Sequence, residues 1–165
     1  MRKSMRLTFV AVVATAVLAI WAATAGATSG AHFFSASGSV ADNGALSVVW
    51  DEAGVGQQQV NYTLAASASA TYACINGGGN HPKASNKETV QGSVGASGTF
   101  NPTNGRVHGS LTAGPLSQGS FSCPSGQTLV LACVSYTGIT LTDTTNNVST
   151  SIADVSRTFV NVAGC

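Results

Sequence analysis

Charged side chains are scarce in this sequence. Its 165 residues include seven Lys or Arg and six Asp or Glu, so that 8% of the residues are charged. Proteins that bind nucleic acid or anionic lipid need a basic face, and so few cations cannot build one. Six acidic residues also offer little material for a calcium site, which takes about 6–8 oxygen ligands. We therefore expect no nucleic-acid partner and no calcium.

The signatures of common enzymes are also missing. The chain has no GxSxG, HExxH or P-loop motif, and no CxxC or HxxxH spacing that would indicate a zinc site. Its three histidines stand far apart: His32 near the predicted mature N-terminus, His81 in a loop, and His108 on a short strand where it faces solvent. The sequence therefore predicts a non-enzymatic protein without metal or cofactor. A catalytic triad assembled from distant segments is the alternative left open.

One acidic pair needs separate consideration. Asp51 and Glu52 are adjacent and follow Trp50 at the end of a predicted strand. A glycosidase needs two carboxyl groups about 5–10 Å apart across a sugar. Neighbouring residues of a strand point to opposite faces, so these two would not converge. We expect both to be solvated at a strand end.

The N-terminal segment has the three parts of an export signal. Arg2, Lys3 and Arg6 are followed by an uncharged, mostly apolar run over residues 7–21, and then by Ala25-Gly26-Ala27. This order predicts a helical signal peptide over residues 1–27 that is removed after Ala27, with cleavage after Ala25 as second choice. An uncleaved membrane anchor is the alternative.

Removal of residues 1–27 leaves 138 residues, which is enough for one domain over residues 28–165. That domain carries four basic and six acidic side chains, a net charge of −2 with histidine neutral. It contains no second long apolar run. The sequence thus predicts a secreted, extracellular domain that does not contact the membrane after cleavage.

All four cysteines, Cys74, Cys123, Cys133 and Cys165, lie in this domain. An even number of cysteines in an exported domain indicates disulfides. Three pairings are possible. The turn signal after Cys123 disfavours a direct bridge to Cys133, so we favour Cys74–Cys123 with Cys133–Cys165. Free buried thiols are the alternative.

Apolar residues recur at every second position, which is typical of β-strands. One such set is Val60, Tyr62, Leu64, Ala66, Ala68, Ala70, Tyr72 and Cys74, and polar or small residues lie between its members. A bend or bulge is expected near residues 65–70, because an unbroken strand of this length is unusual. A second long strand is predicted over 127–142. On it, strict alternation places Leu129, Leu131, Cys133, Ile139 and Leu141 on one face and Val130, Val134 and Tyr136 on the other.

Six shorter strands are separated by turn signals rich in Gly, Asn and Asp. They are predicted at residues 34–40, 45–50, 88–94, 106–112, 148–152 and 157–162. No amphipathic helix, repeat or linker is evident in residues 28–165. This spacing predicts an all-β fold, an antiparallel β-sandwich.

The loop after Cys74 has an unusual composition. It contains three consecutive glycines, several asparagines, a histidine and two lysines. Glycine-rich backbone can hold an anion, and Asn and His side chains often contact sugar hydroxyls. Its candidate binding residues are Asn76, Gly77, Gly78, Asn80, His81, Lys83 and Lys87. The alternative is a surface loop whose glycines serve only the turn.

Two runs carry a resemblance to other proteins: residues 70–87, with the sequence ATYACINGGGNHPKASNK, and residues 123–131, with the sequence CPSGQTLVL. With VSYT at 134–137 and LTDTTN at 141–146, the chain resembles a group of small exported actinobacterial (streptomycete-like) proteins without an assigned activity. The likeness covers roughly residues 31–159. It implies a secreted bacterial protein and transfers no functional residues.

Three functions remain in competition. The first is a non-enzymatic extracellular domain with a structural or adhesive role at the cell surface or in the medium, which we favour. The second is a binding module for a cell-wall polymer, polysaccharide or partner protein, centred on the 76–87 loop and favoured if Trp50 or Tyr72 is exposed. The third is a hydrolase or inhibitor on a β-scaffold.

Overall fold

The computed structural model describes residues 30–76 and 86–165, and in this part of the chain the backbone forms strands and no α-helix. The strands are β1 (His32–Val40), β2 (Leu46–Ala53), β3 (Val60–Asn76), β4 (Lys87–Phe100), β5 (Arg106–Ala113), β6 (Gln127–Asp143), β7 (Val148–Ile152) and β8 (Val155–Thr158). The predicted signal peptide and residues 77–85 lie outside the described residues. No helix long and apolar enough to cross a membrane occurs within the described ranges.

The strands form two antiparallel sheets. A three-stranded sheet has the order β1-β2-β5, and a five-stranded sheet has the order β4-β3-β6-β7, with β8 also paired to β6. β7 pairs with residues 139–143 of β6 and β8 with residues 133–136, so the two short strands follow each other along its second edge. The predicted antiparallel, disulfide-bearing all-β fold is confirmed.

Alternation along β3 builds the core between the two sheets. Val60, Tyr62, Leu64 and Ala70 are each at most 2% exposed, and the residues between them are small or polar and face outward. The inward side chains of β3 pack against Leu46 and others from β2 in one continuous apolar cluster. Burial of this apolar face is the main driving force for joining the two sheets.

The two faces of β6 differ from the prediction. Strict alternation puts Val134 and Tyr136 opposite Ile139 and Leu141, but all four are buried in the same core. The reason is a pair of register shifts in the β3–β6 ladder, between Ala65 and Ser67 and between Thr71 and Tyr72 of β3. In each, β6 contributes one extra residue, which reverses the phase of the alternation. The first shift lies in the region where a bulge was expected.

Both bulges of β6 are hydrogen-bonded to segments that follow it in the chain, outside the strands. Gly138 has a φ of 60°, a left-handed conformation that glycine adopts most readily, and its N–H donates to Asp154 Oδ1 over 3.0 Å. The carbonyl of Ala132, in the other bulge, accepts from the N–H groups of Phe159 and Val160 at 2.7 and 3.0 Å. The extra residues therefore keep their hydrogen bonds.

The C-terminal segment covers the outer side of β6. Ala73, Ala132 and Val162 form a second, small buried cluster, against which Val130 and Val160 pack. The first half of β6 is thus covered on both faces. Cys165 forms a disulfide with Cys133 of β6, and this bridge fixes the segment to the sheet.

The remaining two cysteines tie β3 to the segment before β6. Cys74 forms a disulfide with Cys123, so the structure has the pairing that the sequence favours. No described cysteine is free. Each bridge closes a loop of tens of residues, with sequence separations of 49 and 32. In the chain-entropy model each stabilises the fold by about 4 kcal/mol.

Glu52 corrects the expectation for the acidic pair. Asp51 lies on the outer face of β2, but Glu52 is fully buried between the sheets and is not a solvated residue. Neither of its carboxyl oxygens has a hydrogen-bond partner, and the same holds for Trp50 Nε1 and the Tyr62 hydroxyl. The sequence misplaces Glu52 because β2 continues three residues beyond Trp50, to Ala53, and still faces the core there.

Burial raises the pKa of Glu52 to about 7; the Tyr62 hydroxyl beside it acts in the opposite direction, and the nearby Asp143 carboxyl adds to the effect of burial. Burial likewise raises the pKa of the Tyr62 hydroxyl. Asp143 is also fully buried, but its Oδ1 accepts from the N–H groups of Thr145 and Asn146 at 2.8 and 2.9 Å. Asp143 thus has two backbone donors, whereas neither carboxyl oxygen of Glu52 makes a hydrogen bond.

Trp50 stands at the centre of an aromatic cluster. Its ring centroid lies 4.8 Å from that of Tyr62 and 5.0 Å from that of Phe100. The ring passes over Gly109 of β5, where an added Cβ would come within 2.3 Å of the indole. Glycine is therefore required at this position by space.

We expect Gly109→Ala to destabilise the protein by about 1–3 kcal/mol, because the indole must shift to admit the methyl group. Gly92→Ala is the matched control, since its Cβ would make ordinary contacts with Leu116 at 3.5 Å, and we expect it to change stability by less than about 1 kcal/mol. Denaturant unfolding followed by the fluorescence of Trp50 measures both. Equal effects of the two variants would contradict the packing argument.

We expect the buried Glu52 to make the protein less stable as the pH rises. Its pKa is about 7 in the folded protein, against an ordinary value of 4.5. The folded state therefore holds the proton more tightly than the unfolded chain does. The contribution of Glu52 is fully present below about pH 4.5, falls by up to about 3 kcal/mol between pH 4.5 and 7, and is constant above.

Denaturant unfolding at several pH values tests this expectation. Glu52→Gln should remove the slope between pH 4.5 and 7, because the amide does not titrate. Glu88→Gln, which changes an exposed carboxylate, should retain it. A wild-type protein whose stability is flat or rises across this window would show that Glu52 is not desolvated in the folded state.

Candidate functional site

The outer surface of the five-stranded sheet consists mainly of hydroxyl side chains. Because strand residues alternate between faces, burying the apolar set of each strand presents the other set to solvent. We call this surface the outer hydroxyl face. Its residues are Thr63, Ser67 and Ser69 of β3; Thr89, Gln91, Ser93, Ser97 and Thr99 of β4; Ser135, Thr137, Thr140 and Thr142 of β6; Ser149 and Ser151 of β7; and Ser156 and Thr158 of β8. Thr71 of β3 lies on the same side of the sheet but is buried.

The strand register arranges these side chains in rows that cross the sheet. Ser69 lies between Gln91 of β4 and Ser135 of β6, and Ser135 is in turn paired with Ser156 of β8. Neighbouring strands in a sheet are about 4.8 Å apart. The face therefore offers hydroxyl groups at regular intervals in two directions.

Another such row carries Ser93, Ser67 and Thr137 from β4, β3 and β6. It is adjacent to the row of Ser69 and runs parallel to it. The positions in these two rows include no ionisable and no aromatic side chain.

Hydroxyl groups near the margins of the face bind each other. Thr71 and Thr89 are joined by a hydrogen bond of 3.0 Å between their Oγ1 atoms, and Thr142 Oγ1 and Ser149 Oγ by one of 2.9 Å. Thr99 Oγ1 donates to Asn61 Oδ1 over 2.6 Å. At these margins the protein satisfies its own polar groups.

The centre of the face is a shallow open depression with a volume of about 530 Å³. Its side-chain lining is Ser67, Ser69, Gln91, Ser93, Ser135 and Thr137, and backbone of Ala68 and Gly92 completes it. None of these six side chains is hydrogen-bonded to another described residue. Their donors and acceptors are free to bind water or a ligand. The volume lies in the range of about 300–1,000 Å³ that is typical of ligand sites.

The chemistry of the depression favours an uncharged, hydroxyl-bearing ligand. Serine and threonine hydroxyls both donate and accept hydrogen bonds, and the Gln91 amide does so through two different atoms. A charged ligand would find no counter-charge among the six side chains. Within the described residues no group of three or more His, Cys, Asp or Glu side chains is placed to hold a metal ion.

The outer face of the three-stranded sheet has a different character. Its Arg106 binds Asp51 through two nitrogens, with Nε 2.8 Å from Oδ1 and Nη2 on Oδ2. This guanidinium holds the pKa of Asp51 below its usual range, and the carboxylate raises the pKa of Arg106. His108 Nδ1 lies 3.6 Å from the same carboxylate. Both carboxylate oxygens of Asp51 are thus bound by Arg106.

The exposed large apolar side chains of the described residues, Phe34 and Val49, lie on this same face. The Phe34 ring is 71% exposed and packs against the Arg106 guanidinium at 5.2 Å from its centroid. One exposed phenylalanine and one valine form a small patch. Scattered apolar residues of this kind are common on protein surfaces.

The 76–87 loop proposed from the sequence is only partly described. Asn76 is exposed at the end of β3, and Lys87 is half-buried at the start of β4. Gly77, Gly78, Asn80, His81 and Lys83 lie outside the described residues. The disulfide of Cys74 and the hydrogen bond from Asn86 Nδ2 to Gln127 Oε1, 3.3 Å long, fix the two ends of the loop.

Trp50 and Tyr72, the aromatic residues considered as partners of this loop, are both buried. Their exposed fractions are 4% and 8%, and the Tyr72 hydroxyl donates to the carbonyl of Leu116 over 2.6 Å. Neither offers a surface on which a sugar ring could stack. By the criterion set from the sequence, their burial favours the structural or adhesive reading over the loop-centred binding module.

The sequence contains a signal for the outer hydroxyl face. Thr63, Ser67, Ser69 and Thr71 occupy the alternate positions of β3, between its core residues. What the sequence does not show is the register that aligns them with Gln91 and other residues distant in the chain. The site depends on that alignment.

Comparison with the known protein families, with curated proteins and with solved structures finds nothing that matches this chain.

Proposed function

We propose that this chain is a secreted, non-enzymatic adhesive domain that contacts neutral, hydroxyl-rich polymers, such as cell-wall polysaccharides, through the depression in its outer hydroxyl face. The observation that carries the proposal is the group of six uncharged polar side chains at the centre of that face, none of which binds another described residue. A polysaccharide presents donors and acceptors in the same neutral form.

The shape of the surface also supports an extended ligand. The depression is open, and rows of hydroxyls continue from it across several strands. A polymer could therefore make many weak contacts along the face. Each hydrogen bond exchanged with water contributes little free energy, about 0.5–1.5 kcal/mol. Adhesion of this kind relies on repetition along the polymer and on many copies of the protein.

The rest of the domain is consistent with a role outside the cell. Two disulfides stabilise it, and such bridges persist in oxidising compartments. With few charges in the sequence, its solubility depends on hydroxyl and amide groups. Export through the 1–27 signal peptide is part of this proposal.

The test is co-sedimentation of the oxidised secreted protein with insoluble cellulose, chitin and peptidoglycan. We expect binding to at least one of them. Ser67→Lys should weaken it at least about tenfold, a loss of about 1.4 kcal/mol, because the long charged side chain fills the centre of the depression. Salt should have little effect on wild-type binding, because the contact is uncharged.

Thr63→Lys is the matched control. Thr63 is exposed on the same strand and the same face, about 13 Å from Ser67, and is not part of the depression. We expect this variant to bind as the wild type does. Absence of binding to all three polymers, or equal losses in the two variants, would reject the proposed contact surface.

A module centred on the 76–87 loop is the second candidate, because its two ends are held by the Cys74–Cys123 disulfide and by Asn86. A variant lacking Gly77 to Lys83 distinguishes the two sites in the same assay. Lost binding in that variant, with Ser67→Lys unaffected, would favour the loop. The hydrolase or inhibitor alternative gains no support from the Asp51–Arg106–His108 group, since Asp51 is engaged by Arg106.

A further inference from the structure

One edge of the five-stranded sheet is long and unpaired. β4 runs from Lys87 to Phe100, 14 residues, and pairs with β3 along its whole length without a register shift. No described residue pairs with its other edge. Alternate residues of β4 therefore direct their N–H and C=O groups away from the sheet. Such an edge is a template for another strand.

The edge of β4 lacks the features that usually prevent pairing. Proteins protect exposed edges with charged side chains, proline, bulges or short strands. From Thr89 to Phe100 the strand has no charged residue and no proline, and its regular register excludes a bulge. Its outward residues include Gly95 and Ser97, which are small enough for a second strand to approach closely.

Each of the other sheet edges has such a feature. β5 carries Arg106 and His108 on its exposed face. β1 has a register shift between Phe33 and Ser35, and its last carbonyl, on Val40, accepts from Arg157 Nη1 over 3.2 Å. β7 and β8 are only five and four residues long. Among the strands that end a sheet in the described residues, β4 is thus the one without protection.

The charge distribution of β4 favours a second copy of the same strand in antiparallel orientation. Its charged residues, Lys87 and Glu88, lie together at one end. In a two-fold symmetric antiparallel pair centred near Val94, the two copies of Lys87 would be roughly 45 Å apart. The remaining residues meet as small or neutral side chains. A foreign strand would need side-chain pockets for selectivity, whereas a symmetric pair needs only this complementarity.

We propose that two copies of this chain associate through antiparallel pairing of their β4 strands, which joins their five-stranded sheets into one. The two outer hydroxyl faces would then form a continuous surface, because both sheets are paired in the same plane. The interface is isologous, with the same strand on each side. This proposal is independent of what the hydroxyl face binds.

Sedimentation equilibrium of the oxidised secreted protein over a range of concentrations tests the association. We expect a monomer–dimer equilibrium that Ser97→Lys weakens at least about tenfold in dissociation constant, a change of about 1.4 kcal/mol. Ser97 is exposed on the outer face of β4, outside the depression. Lysine there gives this edge the kind of charged side chain with which other proteins prevent strand pairing.

Ser151→Lys is the matched control, since it puts the same side chain on the same face at the opposite margin, in β7. We expect this variant to dimerise as the wild type does. Amide hydrogen exchange should in addition show β4 protected at high concentration and exchanging on dilution. A protein that stays monomeric at all concentrations, or that is weakened equally by both variants, would overturn the proposal.

Discussion

The pairing of β3 with β6 is the constraint on which the rest of the structure depends. These two 17-residue strands lie side by side at the centre of the five-stranded sheet, and every other strand of that sheet pairs with one of them. Their alternation divides the chain chemically: aliphatic and aromatic residues go between the sheets, and serine and threonine go outside. The core and the hydroxyl surface are two results of the same ladder.

Local sequence patterns predict much of the fold. The period of two along β3 predicted its buried face, and the turn residues placed the remaining strands within a few positions of their observed ends, although β4 extends to Phe100. The alternation failed along β6, because its bulges depend on hydrogen bonds that Gly138 donates to Asp154 and that Ala132 accepts from Phe159 and Val160, all of which lie later in the chain. A pattern within one strand contains no information on such distant partners.

The depression in the outer hydroxyl face likewise could not be predicted from the pattern within one strand. The residues that line the depression come from β3, β4 and β6, and each is an ordinary serine, threonine or glutamine in its own strand. Their significance arises from the register that brings them together. The 76–87 loop is recognisable from the sequence because its composition is locally unusual, whereas a surface built from common residues is recognisable only after the strands are aligned.

Glu52 and Asp143 show that a buried acid can be handled in two ways in one core. Asp143 organises the turn between β6 and β7 by accepting from Thr145 and Asn146, so its burial has a local structural purpose. Glu52 has no such partner among the described residues. An unpartnered buried carboxyl is tolerated most easily when it is protonated, which ties the folding of this domain to the acidity of its surroundings.

The pairing of two short strands, β7 and β8, with one edge of β6 limits how the sheet can be extended by further strands. The edge of β6 is completed by two short strands in succession, with Asp154 between them bound to the bulge at Gly138. That margin is therefore interrupted at the point where a further long strand would have to lie flat. A sheet with one continuous edge and one broken edge can extend in a single direction. Growth of a fibre by strand pairing requires two open edges in each copy, so this architecture favours a closed pair over open-ended assembly.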